Sequence, residues 1–458
     1  MERVIEVKVN KFSYKEAVEL VNIDFSVKRG EFVVITGKSG CGKTTLLRIM
    51  NGLIPNFFEG KLEGISKVFG KDISDYEKGE LARYIGNVFQ NPSDQFFSSI
   101  AEDEIALVGE NLGMDREELK RRVNYALEEL GIEELRGKSV FEMSGGEKQK
   151  VAIASTLVFD ADIILFDEPS ASLDSNATEE LKKVLKLLKE KGKTIVIAEH
   201  RLYYLKDLID RLIVMEDKTV AAEYSGIELC ENIRSKHNLR TFDHMQVNKE
   251  LMQSFSGNKA DIEVKSLDVQ RKRNVFSDDV GFTLAKGECL GIIGENGKGK
   301  TTLAKQLVGL LPIKRGVTSY GRNKRERIRN AYYLMQDPSV QLFSSTIENE
   351  LIPKKRMEDE DYLKEVKHYL EKVDLFEKRG RSPHELSVGE KQRLSIVVSF
   401  LAGRKCIILD EPTAGLDYHR MLMVSKLIEE KKQEVPIILI THDMELLNAV
   451  CDRVLCLS

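Results

Sequence analysis

The sequence predicts an α/β fold of two tandem P-loop domains, each a mostly parallel core sheet with an antiparallel β-subdomain and a helical insert. Three observations predict it. A G-x-x-x-x-G-K-[ST] run occurs twice, each time after an apolar strand and before a helix-forming stretch. Strands and helices alternate in each half, the pattern of a parallel sheet covered on both faces. The landmarks repeat, 257 positions apart at the glycine-rich runs and 242 to 246 apart farther on, so the chain is an internal duplication with a drifting offset.

On this reading residues 1–225 form the first unit, 226–260 a linker and 261–458 the second unit. A chain of 458 residues can bury two full cores. A formal charge of −4 with 31% charged residues carries no polyanion-binding signature, and no nucleic acid partner is expected. The opening Met1-Glu2-Arg3-Val4-Ile5-Glu6 lacks the apolar core of a signal peptide. No apolar stretch approaches the roughly 18 residues that span a bilayer, so any membrane role is borrowed from a partner. The six cysteines are scattered without a C-x-x-C pair, which argues against a disulfide framework or zinc site and for a reducing cytosol.

In chain order, Val4 to Tyr14 and Val18 to Val27 read as strands of the antiparallel subsheet. Phe32-Val33-Val34-Ile35 reads as a buried parallel strand that leads into Gly37-Lys38-Ser39-Gly40-Cys41-Gly42-Lys43-Thr44-Thr45 and then a helix. Its twin runs from Cys289-Leu290-Gly291-Ile292-Ile293 into Gly294-Glu295-Asn296-Gly297-Lys298-Gly299-Lys300-Thr301-Thr302. Glycines let the backbone turn so that successive N–H groups line a phosphate-sized hollow at the positive end of the helix. Lys43 and Lys300 are then expected to reach the terminal phosphates of a nucleotide, and Thr44 and Thr301 to hold Mg²⁺. Ala101 to Leu135 has helical spacing, with a helix start at Asp115-Arg116-Glu117-Glu118, and makes the insert. The apolar strands Ile163 to Phe166 and Ile407 to Leu409 end in Asp167-Glu168-Pro169 and Asp410-Glu411-Pro412, at the edge where open α/β sheets bind ligands. The aspartates are expected to coordinate Mg²⁺ and the glutamates to face the attacking water.

Ahead of each acidic strand stands a more specific phrase, Met143-Ser144-Gly145-Gly146-Glu147-Lys148-Gln149 and Leu386-Ser387-Val388-Gly389-Glu390-Lys391-Gln392. These resemble the signature of ATP-binding-cassette (ABC) ATPases. The remaining marks of that family follow in order: Gln90 and Gln336 match the Q-loop, Ser172-Leu173-Asp174 and Gly415-Leu416-Asp417 the D-loop, His200 and His442 the switch histidine. The resemblance covers nearly the whole chain apart from the linker. It implies ATP and Mg²⁺ as ligands, with Gln90 and Gln336 joining the metal set. It also implies that Ser144, Gly145, Gly146, Ser387 and Gly389 contact the γ-phosphate held by the opposite P-loop, in one chain or alternatively in a homodimer. Tyr14 is the aromatic expected on adenine, and Arg271 stands at the matching place in the second half.

Val388 replaces the small residue at the Gly145 position. A branched Cβ there is expected to restrict the backbone and crowd the phosphate, so that the Glu168 site hydrolyses more slowly than the Glu411 site.

The Q-loop runs Gln90-Asn91-Pro92-Ser93-Asp94-Gln95-Phe96-Phe97 and Gln336-Asp337-Pro338-Ser339-Val340-Gln341-Leu342-Phe343 resemble the ATPases of energy-coupling-factor (ECF) transporters, as a fused pair. That resemblance implies vitamin or metal-ion uptake at the cytoplasmic face of the membrane, with a transmembrane coupling subunit and a substrate-binding membrane subunit as partners. Phe96, Phe97, Leu342 and Phe343 are expected either to line a groove for a membrane subunit's helix or to pack beneath the insert. Glu102-Asp103-Glu104 and Glu348-Asn349-Glu350 are expected to face a basic coupling helix. Sugar-importer ATPases and soluble tandem proteins acting on ribosomes or DNA are the alternatives.

Overall fold

Each half of the chain folds a small antiparallel sheet onto a larger, mostly parallel one, and the larger sheet carries the phosphate loop. The computed structural model describes residues 2–15, 17–77, 79–171, 173–248, 251, 260–271 and 274–457. Two compact units divide at His244 and Met245.

The strands of the first unit are β1 (Arg3–Tyr14), β2 (Ala17–Lys28), β3 (Phe32–Gly37), β4 (Lys61–Val68), β5 (Lys71–Asp72), β6 (Ile85–Val88), β7 (Ile163–Asp167), β8 (Thr194–Ala198), β9 (Arg211–Glu216) and β10 (Thr219–Ser225). They form an antiparallel sheet in the order β2-β1-β4-β5 and a core sheet in the order β10-β9-β3-β8-β7-β6, in which only β10 is antiparallel. In the second unit, β11 (Ile262–Arg271), β12 (Asn274–Leu284) and β14 (Val317–Thr318) make the antiparallel sheet. The parallel core runs β15 (Ala331–Leu334), β16 (Cys406–Asp410), β17 (Ile437–Ile440), β13 (Cys289–Ile293), β18 (Arg453–Cys456). The central strands are buried on both faces, which is why they read as continuous apolar runs.

This order positions the site. The acid strand, the histidine strand and the phosphate-loop strand are neighbours in each core, β7-β8-β3 and β16-β17-β13, so their carboxyl ends converge. The insert forms as expected, with helices Ala101–Asn111 and Arg116–Glu129, and Asp115 caps the second by accepting from the Glu117 and Glu118 N–H groups.

The expected linker is divided. Its first part carries the helix Glu231–His237 and buries Leu229, Ile233, Leu239 and Phe242 in the first unit's core. Val247 and Leu251 pack on the second core, and 252–259 lie outside the described residues.

Candidate nucleotide sites

The two P-loops have the same backbone. The helices Lys43–Met50 and Lys300–Val308 are each entered through a left-handed glycine, Gly42 at φ 99° and Gly299 at φ 91°. A Cβ would meet Leu20 at the first and Phe276 and Val269 at the second, so only glycine closes the turn. Lys43 is buried and its Nζ donates to the carbonyls of Gly37 and Lys38, each at 3.2 Å. Lys300 repeats this with Gly294 at 2.6 Å and Glu295 at 2.9 Å. A buried ammonium held over a glycine-rich turn at a helix start fits a polyphosphate. Cys41 is buried in the core behind the loop, directed away from that hollow.

Beside each loop sits its aspartate. The Thr44 hydroxyl donates to Asp167 at 3.1 Å, and the Thr301 hydroxyl donates to Asp410 at 3.1 Å. Burial, and next the charge of Glu168, push the Asp167 carboxyl up to about 6. Asp410 is also raised by burial, opposed by hydrogen bonds from Tyr333 and Thr301. A hydroxyl and a hard oxygen ligand paired this way suit Mg²⁺.

The glutamates follow in a strained backbone, Glu168 at φ 44° and Glu411 at φ 50°. Such a conformation costs a non-glycine residue on the order of 1 kcal/mol and persists because the neighbouring strand holds it. The Glu168 N–H donates to Ala198 O and the Glu411 N–H to Ile440 O, both at 2.8 Å. Their carboxylates then part company. Glu168 accepts from Gln90 Nε2 at 2.9 Å and lies 3.2 Å from His200 Nε2, which is 3.5 Å from Ser39 Oγ. Glu411 accepts from Thr441 Oγ1 at 3.0 Å and from the His442 N–H at 3.0 Å, while His442 Nε2 is 3.8 Å away. Gln336 is exposed.

The signature serines cap their helices. Ser144 Oγ accepts from the Glu147 N–H at 3.3 Å while Glu147 accepts from the Ser144 N–H at 2.7 Å, and Ser387 N–H and Oγ both donate to Glu390. Burial would raise the Glu390 carboxyl, but Lys378 and Ser387 hold it down at about 2. Gly145 and Val388 both open their helices at ordinary helical positions, and Val388 is exposed, so its branched Cβ imposes no backbone constraint and the expected restriction is absent. In the D-loops, Asp174 and Asp417 cap the following helices, and Ser172 lies outside the described residues. Tyr14 is half-buried, edge-on to Phe12 at 4.7 Å, and its hydroxyl accepts from Arg48 at 3.4 Å.

Residues 20–171 and 277–414 match the ABC transporter family. The chain belongs to that family. A Treponema denticola relative, named as an ABC transporter ATP-binding protein, is 37% identical over 470 residues, covering 98% of this chain and 94% of the relative. A Clostridium perfringens relative of the same description is 32% identical over 511 residues, covering all of this chain and 90% of its own. Among solved structures, the ribosome-bound archaeal ABCE1 with Pelota matches at TM-score 0.71 and 22% identity over 98% of this chain and 76% of that one, a likeness of fold. Both units are ABC cassettes, and the chain is an ATPase that works with ATP and Mg²⁺.

The Q-loops of the cassettes close on themselves. Asn91 and Asp337 accept from the N–H two residues on, at 3.2 and 2.9 Å. Gln95 accepts from the Phe89 N–H at 3.0 Å, and Gln341 accepts from the Met335 N–H at 2.7 Å. Glu104 accepts from the Phe97 and Ser98 N–H groups at 2.8 and 2.7 Å, and Glu350 accepts from Phe343 and Ser344 at 2.9 and 2.7 Å. These two acids therefore anchor the loop from within, and Glu102 pairs with Arg136; the expected face for a basic helix is not formed by them. The four apolar residues divide: Leu342 is buried, Phe96 packs partly on the core, and Phe97 and Phe343 stand in solvent.

Sequence reasoning missed Tyr333, whose hydroxyl donates to Asp410 at 2.7 Å. Its signal was the strand register, which sets Tyr333 beside Ile408, two residues before Asp410, and Asn87 beside Leu165, two residues before Asp167. It also missed Glu199 and Thr441, which precede the histidines.

Proposed function

We propose that this ATPase energises uptake of a small molecule, a vitamin or metal ion, through separate membrane subunits of an ECF-type transporter, and that it sits peripherally at the cytoplasmic face of the membrane. The observation that carries the reading is the pair of Q-loop platforms. Each is pinned by a glutamate and turns one aromatic to water, Phe97 at 85% and Phe343 at 80% exposed. A pinned loop that keeps a bare ring in solvent suits an apolar helix of a partner. Beside Phe97 a groove of about 440 Å³ is lined by Phe89, Leu107, Val108 and Phe159. Among the described residues no helix is long and apolar enough to cross a membrane, so the channel belongs to other chains.

Within each cassette the P-loop, with Lys43 or Lys300, holds the phosphates. Thr44, Asp167 and Gln90, or Thr301, Asp410 and Gln336, hold Mg²⁺, which when bound neutralises charge developing on the phosphoryl oxygens. Glu168 or Glu411 orients and deprotonates the water, and His200 or His442 stabilises the transferring group. Tyr14 stacks on adenine in one site and Arg271 in the other. Ser144, Gly145 and Gly146, and Ser387 and Gly389, present a capped helix start to the γ-phosphate of a facing cassette, in this chain or in a second copy.

The test is affinity purification of the full chain from solubilised membranes. A polytopic membrane protein should co-purify, and Phe97→Asp with Phe343→Asp should lose it while the isolated chain keeps its ATPase rate. Salt-sensitive sedimentation with ribosomes and no membrane partner would overturn the reading.

A further inference from the structure

The two cassettes share strand register, P-loop and glutamate backbone, yet their glutamate carboxylates are held by different groups. The cause lies one residue before each histidine. In the first cassette that residue is Glu199, 2% exposed. Its carboxylate accepts from the His200 N–H at 2.7 Å, the Arg201 N–H at 3.1 Å, the Tyr204 hydroxyl at 2.9 Å and the Ser170 N–H at 3.3 Å. The His200 N–H is thus occupied, and Glu168 extends to Gln90 and the His200 ring instead.

In the second cassette the same place holds Thr441, fully buried. Its side chain is too short and carries no negative charge to take the His442 N–H. That N–H goes to Glu411, at 3.0 and 3.3 Å to the two carboxylate oxygens, and the Thr441 hydroxyl adds a third hydrogen bond while accepting from the Asp443 N–H at 3.0 Å. These bonds hold the Glu411 carboxylate just past the end of the histidine strand, with its side chain 11% exposed against 15% for Glu168.

We propose that Glu199 and Thr441 are positioning residues that set how far the water-activating glutamate reaches: Glu199 keeps Glu168 presented toward the Q-loop, and Thr441 keeps Glu411 retracted until ATP closes the site. This rests on the reading of Glu168 and Glu411 as the groups that face the water. A retracted base has to give up its hydrogen bonds at every turnover, and one such bond corresponds to roughly a fivefold change in population. The Glu168 site therefore starts nearer its reactive arrangement, whatever its facing signature contributes.

The experiment uses the full chain with one site silenced. In a Glu168→Gln background, which leaves the Glu411 site, Thr441→Val removes the hydroxyl at constant volume; kcat should rise roughly two- to fivefold with KM for ATP unchanged. In a Glu411→Gln background, Glu199→Thr should lower kcat roughly tenfold with KM within about twofold, and Glu199→Gln, whose amide oxygen still accepts from the His200 N–H, should restore most of the rate. Thr441→Val reads the proposal in the other cassette should Glu199→Thr fail to fold. The proposal is overturned if Thr441→Val lowers kcat or leaves it unchanged, or if Glu199→Gln is as damaging as Glu199→Thr. The Glu168→Gln, Glu411→Gln double variant separates the two levels: a dead double variant with inert position-199 and position-441 changes sinks the positioning role alone. An active double variant sinks the assignment of the glutamates and the positioning role with it.

Discussion

In the first cassette a buried acid, Glu199, gathers the backbone donors around His200, and Glu168 is left to meet Gln90 and the His200 ring. In the second, a threonine stands there, and Glu411 itself satisfies those donors. The difference teaches that a duplicated site can keep its P-loop lysine, its paired acids and its histidine and still diverge, because buried donors must be satisfied by something and the residue that does so decides where its neighbour points.

The largest expected effect breaks both sites alike. Lys43→Ala with Lys300→Ala should abolish ATP binding, and either alone should halve the stoichiometry seen by equilibrium dialysis; full stoichiometry in a single variant would show that the lysine of that cassette holds no phosphate. A smaller effect compares the loop anchors. Glu104 is 5% exposed and Glu350 is half-buried, so Glu104→Ala should destabilise by about 3 kcal/mol, with Glu350→Ala costing less, as read by thermal unfolding.

The aspartates sharpen the comparison through pH. Asp167 is pushed up to about 6 by burial and then by Glu168. Its folded pKa exceeds the unfolded value of about 3.9, so this contribution to stability is full below about pH 4 and is lost as pH rises through 6. The metal-free chain should gain about 2 kcal/mol at pH 7.5 from Asp167→Asn and little at pH 4, measured as melting temperature across pH. Asp410→Asn should gain less, since Tyr333 and Thr301 already support that carboxylate. The smallest effect is Tyr333→Phe, which removes a single hydrogen bond to Asp410 and should cost about 1–2 kcal/mol, with no counterpart at Asn87, whose side chain bonds Asn51 instead.

Much of this was legible in the sequence. Both-face burial made the core strands continuous apolar runs, and the P-loops, acids and histidines fell at strand ends because the chemistry requires that edge. The 1–225 boundary was not legible, because Leu229, Ile233 and Phe242 are apolar residues without a period long enough to announce a docked segment. Nor was the fate of Leu342 against Phe343, since these adjacent apolar residues on one loop divide between core and solvent without any alternation to mark it. The rotamers of Glu168 and Glu411 depend on which neighbour takes an N–H group, a competition that no motif records. Val388 suggested a slow Glu168 site on two grounds, and its helical backbone removes only the backbone restriction, not the crowding of the phosphate.

The most direct measurement is the steady-state ATPase rate of the full chain carrying Glu168→Gln against that carrying Glu411→Gln. The account predicts that Glu168→Gln removes the larger share of activity, because Glu168 is the presented base. A larger loss from Glu411→Gln, or equal losses, would contradict it.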